Sequence, residues 1–294
     1  MRSYLECVPC FFAQAVRSGR TVGLDEGAIR DLLEHIGNRI GELDPSLPPP
    51  QNARLLYDRL AELAGRDDPF AEAKARHTEL ALRLVPTMRE WMAGVEDRFD
   101  GALRLAAAGN IIDLGATAEV EDLAGALLRA LDAARPRWDV APLRQALSTA
   151  RRLLVLGDNA GETVFDRVLL EVVTETWPGI ELAYAVRSRP IINDATVADA
   201  RAAGLDRVAT IVPTGSDLPG IVLDRCSPEL RERFDAADVV LAKGQGNYET
   251  LGEAGRELFF VLTVKCGVVA RDLGLPRGAS VLLHHQGGPS VVSP

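Results

Sequence analysis

Apolar positions in the N-terminal third of the chain recur at helical spacing. Ile29, Leu32, Leu33, Ile36, Ile40 and Leu43 fall on one helix face, and Asp25 stands where an N-cap belongs. Pro45, Pro48, Pro49 and Pro50 then demand a loop. Leu55, Leu56, Leu60 and Leu63 give a second stripe, punctuated by Asp67-Asp68-Pro69. A helix is expected from Phe70 towards Val85, with Pro86 breaking or kinking it. Another runs from Phe99 to Ala108 and stops at Gly109-Asn110.

Beyond residue 150 the pattern changes to short β-rich runs: Leu153–Leu156, Leu182–Val186, Ala209–Val212, Val239–Ala242, Phe259–Val264 and Val281–Leu283. Helix-like segments separate most of them, among them Glu162–Glu175, Ala195–Ala203, Glu229–Ala236 and Cys266–Leu273. Alternating strands and helices predict an α/β fold, a doubly wound and mostly parallel sheet.

Composition narrows the function classes. The chain has 294 residues, 47% of them hydrophobic and 26% charged, as expected of a globular protein with one large domain or two modest ones. A net charge of −9 gives a nucleic-acid role no electrostatic support. No apolar run is long enough to span a membrane, and the start lacks the apolar core of a signal peptide, so a cytoplasmic protein is expected. Four cysteines do not make a disulfide framework.

Polar clusters fall just past the strand ends, where ligands sit in parallel α/β sheets. Asp158, Asn159 and Glu162 follow the first run, Arg187, Asn193 and Asp194 the second, and Thr214, Gly215, Ser216 and Asp217 the third. Lys243-Gly244-Gln245-Gly246-Asn247 follows the fourth and Lys265 the fifth. Asp158, Asn159 and Asp194 offer hard oxygen ligands suited to Mg²⁺ or Mn²⁺. Lys243 and Lys265 could neutralise phosphate oxygens, and Gly244 and Gly246 permit close backbone approach to an anion. Each cluster has a plainer reading. Asp158-Asn159 also suits an ordinary turn, Asn193-Asp194 a helix cap, and the lysine-glycine run matches neither a P-loop nor Gly-x-Gly-x-x-Gly. Cys7-Val8-Pro9-Cys10 opens a helical region, where a structural pair fits better than a redox or zinc site. His284-His285 reads as an exposed strand end.

The chain resembles the DUF89 family of metal-dependent damage-control phosphatases, in its prokaryotic branch with an N-terminal Cys-x-x-Cys. The segments carrying the resemblance are Tyr4–Cys10, Asp68-Pro69-Phe70, Gly109–Asp113, Gly157–Glu162, Asn193-Asp194, Ala242–Glu249 and Val264-Lys265-Cys266. It implies a helical N-terminal subdomain over residues 1–108 and an α/β/α catalytic sandwich over 109–294. It further implies a divalent ion, Mn²⁺, Mg²⁺, Co²⁺ or Ni²⁺, on Asp158, Asn159 and Asp194, which would form the catalytic set. The phosphate of a small phosphorylated metabolite would meet Lys243, Gly244, Gln245, Gly246, Asn247 and Lys265. Glu162, Asn110 and Asp113 are further candidates at that pocket.

Three rivals remain at this stage. A covalent aspartyl-phosphate mechanism lacks the second Asp two residues on. A methyltransferase using S-adenosylmethionine would want a Gly-x-Gly turn after the first sheet strand, and none is present. A non-catalytic metal or redox protein would rely on Cys7 and Cys10.

Overall fold

The computed structural model describes residues 1–114 and 120–288, without the side chains of residues 113, 114, 120 and 121. The chain opens with α1 (Cys7–Thr21), α2 (Glu26–Asn38), the short α3 (Pro49–Asn52) and α4 (Arg54–Ala64). Asp25 does cap α2, its side chain accepting from the Ala28 N–H. The stripe read through Leu43 ends sooner: Ile40 to Glu42 form a 3-10 turn, with Ile40 exposed. Then come α5 (Ala71–Ala93), α6 (Arg98–Ala108), a 3-10 stretch (Gly109–Leu114) and α7 (Val120–Asp132). Contrary to expectation, α5 runs through Pro86. Proline leaves the carbonyl of residue 82 without its helical donor, but Leu82 and Pro86 lie on the solvent side, where water satisfies that oxygen.

The alternating region follows as β1 (Arg137–Trp138), α8 (Val140–Thr149), β2 (Arg152–Leu156), α9 (Glu162–Thr176), β3 (Glu181–Val186), α10 (Val197–Ala202) and β4 (Thr210–Pro213). It continues with α11 (Pro228–Ala236), β5 (Val239–Lys243), α12 (Gln245–Leu251), β6 (Leu258–Thr263), α13 (Gly267–Leu273) and β7 (Ser280–His285). The seven strands form one sheet in the order β1-β7-β6-β5-β2-β3-β4. β4, β3, β2, β5 and β6 are mutually parallel, and β7 returns antiparallel to β6.

Period-two alternation sorts the strand residues between two cores. Leu153, Val155, Tyr184, Leu241 and Phe259 face one side with α5, α6, α7 and α9. Leu154, Leu156, Val240, Ala242 and Phe260 face the other with α11, α12 and α13. A buried Leu or Phe contributes roughly 1.5–3 kcal/mol, so the stacked layers supply most of the driving force. The apolar core does not divide at residue 108, because α5 and α6 belong to the sheet's own cluster. The separate cluster is a cap of α1, α2 and α4, built on Phe11, Leu32, Ile36, Leu56 and Leu60 and touching Val268 of α13.

Strand order fixes where a ligand would sit. The chain steps outward from β2 to β3 and β4, then returns to β5 beside β2 and steps away to β6. The connections leaving β2 and β5 therefore diverge, opening a crevice at their carboxyl ends.

Candidate active site

The turn after β2 and the loop after β3 are joined through their backbones. The Ala195 N–H donates to the Asp158 carbonyl at 2.8 Å, the Ala160 N–H donates to the Asn193 carbonyl at 2.9 Å, and Asn159 pairs with Asp194 as an isolated antiparallel bridge. This brings the adjacent pair Asp158 and Asn159 together with Asp194, thirty-odd residues further along the sequence. Ile192, two residues before Asp194, is the sole non-glycine at positive φ among the described residues, at 44°. For a β-branched residue that conformation is strained, and strain of this kind concentrates at functional sites.

Arg187, at the end of β3, holds Asp194. Its Nε donates to Oδ2 at 2.7 Å, and both side chains are buried. Its Nη2 reaches Asn247 Oδ1 at 3.5 Å. Asp158 sits against Gly244, where any Cβ would overlap its carboxylate; at φ +83° the backbone there also favours glycine. Burial, together with the nearby Glu162 and Asp194 carboxylates, holds the Asp158 carboxyl well above the ordinary range. Burial raises Asp194 too, partly offset by Arg187. Two carboxylates near enough for each to disfavour the other's charge gain from a cation between them.

Asn159 completes an oxygen set. Its Nδ2 donates to Glu162 Oε1 at 3.1 Å, which fixes the amide's rotation and turns Oδ1 to the opposite side. The three residues fit a hard divalent ion with room for water and substrate. Among the described residues no three His, Cys, Asp or Glu side chains cluster as a metal site, so any ion here depends on the asparagine oxygen.

A cavity of about 300 Å³ opens over these residues. Asp158, Asn159, Asp194, Gln245, Gly246 and Lys265 line its floor and sides. The cap roofs it with Cys7, Cys10, Phe11 and Gln14 of α1 and Tyr57 of α4. Tyr57 OH donates to Gln14 Oε1 at 2.8 Å, tying the two roof helices together. An exposed pair, Arg271 to Glu6 at 2.6 Å, bridges the rim. A second cavity of about 10 Å³, room for about one water, holds Asn110 beside Asp158, Glu162 and Lys243. Asn110 therefore lies next to the site but outside the main cavity, and the Asp113 side chain lies outside the described residues.

Several residues expected at the phosphate are instead committed to protein. Lys243 is 1% exposed; its ammonium bonds Asp166 Oδ1 at 2.6 Å, the Ala106 carbonyl at 3.0 Å and Glu162 Oε2 at 3.4 Å. Three donors meet three acceptors, leaving nothing for a phosphate. Glu162 is likewise held between Asn159 and Lys243 and does not line the main cavity. The Asn247 amide donates to the Lys243 carbonyl at 2.6 Å and to the Gly157 carbonyl at 3.2 Å, clamping the ends of β5 and β2. Gln245 accepts from the Lys265 N–H at 2.8 Å and donates to Glu249 at 2.7 Å. Lys265 and Gly246 line the main cavity, whereas the Gly244 N–H is spent on the Val261 carbonyl at 2.9 Å.

Asp166, Tyr57 and Glu249 did not emerge as site residues from the sequence, and Arg187 appeared only among the polar residues past the second run, without a role. Asp166 had a signal, a carboxylate one turn from Glu162 on an otherwise apolar helix face. Tyr57 and Glu249 had none, since only the folded cap and cavity give them meaning. Burial pushes the Cys7 and Cys10 thiols up, the reverse of what thiolate chemistry needs.

The damage-control phosphatase ARMT1-like domain matches residues 3–281. The chain belongs to that family. Over 288 residues it is 33% identical to damage-control phosphatase PH1575 of Pyrococcus horikoshii, covering 97% of this chain and 99% of that one. It is 32% identical to a damage-control phosphatase of Archaeoglobus fulgidus, over 94% of this chain and 96% of that protein. A crystal structure of a DUF89 family protein from P. horikoshii superposes with a TM-score of 0.88 at 32% identity, covering 97% of this chain and all of that one. Family membership bears out the resemblance and the α/β sandwich read from the sequence. Among the described residues no helix is long and apolar enough to cross a membrane.

Proposed function

We propose that this family member is a metal-dependent phosphatase that hydrolyses phosphate monoesters of small metabolites, with sugar phosphates and damaged phosphometabolites as the substrate classes. The observation that carries the reading is the meeting of Asp158, Asn159 and Asp194 at the sheet's switch point, beneath a roofed cavity sized for a small molecule. These three residues would hold a divalent ion, Mn²⁺, Mg²⁺, Co²⁺ or Ni²⁺, which supplies Lewis acidity at the phosphoryl oxygens and makes water more acidic. Lys265 faces the same cavity and would balance charge on the phosphate, while Gly246, with no side chain, lets it approach the backbone there. Arg187 orients Asp194 and favours its charged form, and Glu162 keeps Asn159 turned. The cap shields the reacting centre and shapes the space for the remainder of the substrate. All four cysteines are free thiols, in keeping with a cytoplasmic setting.

The test is hydrolysis of 4-nitrophenyl phosphate and a panel of phosphometabolites across several divalent ions. Asp158→Ala should abolish metal-dependent turnover while circular dichroism and melting show an intact fold. Undiminished turnover in that variant overturns the proposal.

A further inference from the structure

Hydrolysis of an alkyl phosphate needs a proton for the departing oxygen, since an alkoxide is a poor leaving group. The carboxylates set aside for a cation are poor acids once they bind it. Among the described residues of the cavity, Glu6 is exposed and paired with Arg271 at the rim. Tyr57, Cys7 and Cys10 are pushed upward by burial and hold their protons too tightly.

Glu249 differs from all of these. It lines the same cavity as Asp158 and Lys265, yet only 7% of it is exposed. Gln245 fixes its carboxyl, donating from Nε2 to Oε1 at 2.7 Å. Gln245 is in turn anchored by the Lys265 N–H, so the carboxyl has a defined orientation relative to the proposed phosphate cradle. The helix carrying Glu249 is preceded by Gly244, which sits against the Asp158 carboxylate. One helical turn separates Gln245 from Glu249, and the bond between their side chains sets the Glu249 carboxyl beside Gln245 on the wall of the cavity that Asp158, Asn159 and Lys265 also line, facing the space a substrate seated at Asp158 would fill.

We propose that Glu249 is a catalytic residue, the general acid that protonates the leaving alcohol; this rests on the phosphatase reading above. Water attacks phosphorus as the bond from phosphorus to the ester oxygen breaks. The bonding pair stays on that oxygen, which takes the Glu249 proton and departs as an alcohol. The proton lost by the attacking water returns the carboxylate to its acid form through solvent, so ester and water yield alcohol and phosphate. Burial, opposed by the Gln245 hydrogen bond, the N-terminal ammonium of Met1 and Lys265, brings the Glu249 carboxyl up to about 7. Cys7 and Cys10 of α1 also face it, both in thiol form. An acid poised near neutrality is what proton donation at that pH requires.

The test is Glu249→Gln, which keeps an acceptor for Gln245. Turnover is compared with glycerol 1-phosphate, whose alkoxide needs the proton, and 4-nitrophenyl phosphate, whose leaving group departs without it, at saturating Mn²⁺ between pH 5.5 and 8.5. The alkyl substrate should slow by about 100-fold or more and the aryl substrate by under about tenfold. The wild-type fall in alkyl turnover above about pH 7 should vanish in the variant. In the metal-free protein, an infrared carboxyl band titrating near neutrality should be present and be lost in Glu249→Gln. Equal slowing of both substrates, unchanged alkyl turnover, or no such band overturns the acid role. A wild type that cleaves neither ester with any divalent ion overturns the phosphatase reading, and this role with it.

Discussion

Replacing Lys243 with methionine separates a structural ammonium from a phosphate ligand. The side chain is 1% exposed, with Asp166 at 2.6 Å, the Ala106 carbonyl at 3.0 Å and Glu162 at 3.4 Å. Methionine keeps the volume and removes the charge. Asp166 is then a buried carboxylate whose main stabilising neighbour is gone; burial already raises it, and Lys243 is the first influence holding it down. Breaking a buried pair from one side costs about 3–5 kcal/mol. For a chain this long that is a loss on the order of 10 °C in melting temperature. The sign with pH follows from the remaining carboxyl. Without Lys243, Asp166 folds best in its protonated form, so the deficit should be smaller at pH 5.5 than at pH 8.5. Lys243→Met with Asp166→Asn should recover part of the loss, since the carboxylate nearest the lost ammonium is then neutral, Tyr184 can still bond residue 166, and Glu162 keeps the Asn159 donor. Urea denaturation of the wild type, Lys243→Met, Asp166→Asn and the double variant at both pH values checks this. A stability change under about 1 kcal/mol, together with a KM for aryl phosphate raised tenfold or more, would refute the reasoning and return Lys243 to the phosphate.

Three further outcomes follow from the same geometry. Gly244→Ala should fail to reach wild-type turnover and lose stability, because the new Cβ strikes the Asp158 carboxylate at a positive-φ position; melting and Mn²⁺ calorimetry measure both. Glu162→Ala should weaken Mn²⁺ binding by about 10–100-fold in calorimetry, because the Asn159 amide loses its fixed orientation. Glu249→Gln should leave stability little changed at pH 4.5 and raise it by about 3 kcal/mol at pH 8, measured by denaturant titration. The wild-type carboxyl is held up to about 7 against an ordinary 4.5, so the folded state keeps its proton longer than the unfolded chain. Stability is therefore lost progressively from about pH 4.5 to 7, a slope the neutral amide does not share.

The strands were legible because burial on both faces leaves continuous apolar runs, as in Leu153–Leu156 and Val239–Ala242. β1 was missed because two residues, Arg137 and Trp138, make no pattern. The turns bearing Asp158, Asn159 and Asp194 were legible for a related reason: each apolar run ends abruptly in groups that seek water or a ligand. Lys243 was misread by that same logic. It ends an apolar run, but the strand stays buried through it, and the acceptors that solvate its ammonium come from α9 and α6, far away in sequence. Pairings across a sheet face do not appear in a one-dimensional pattern, whereas partners one helical turn apart, such as Glu162 and Asp166, do.

The cap and the proposed metal turn are physically one unit. Ile192 packs with the apolar cluster of α1, α2 and α4 while holding a backbone conformation that costs about 1–3 kcal/mol. A strained residue persists only where its surroundings over-determine it, and here the surroundings are of two kinds. Contacts to the cap hold the side chain. On the other side, the Asp194 N–H bonds the Ile191 carbonyl at 3.1 Å and Arg187 grips the Asp194 carboxylate. The cap's apolar burial thus offsets the strain that points Asp194 at Asp158. A cap loosened at Phe11 or Leu56 should release Ile192 first, and with it the geometry of a carboxylate that the cap itself never needs to touch.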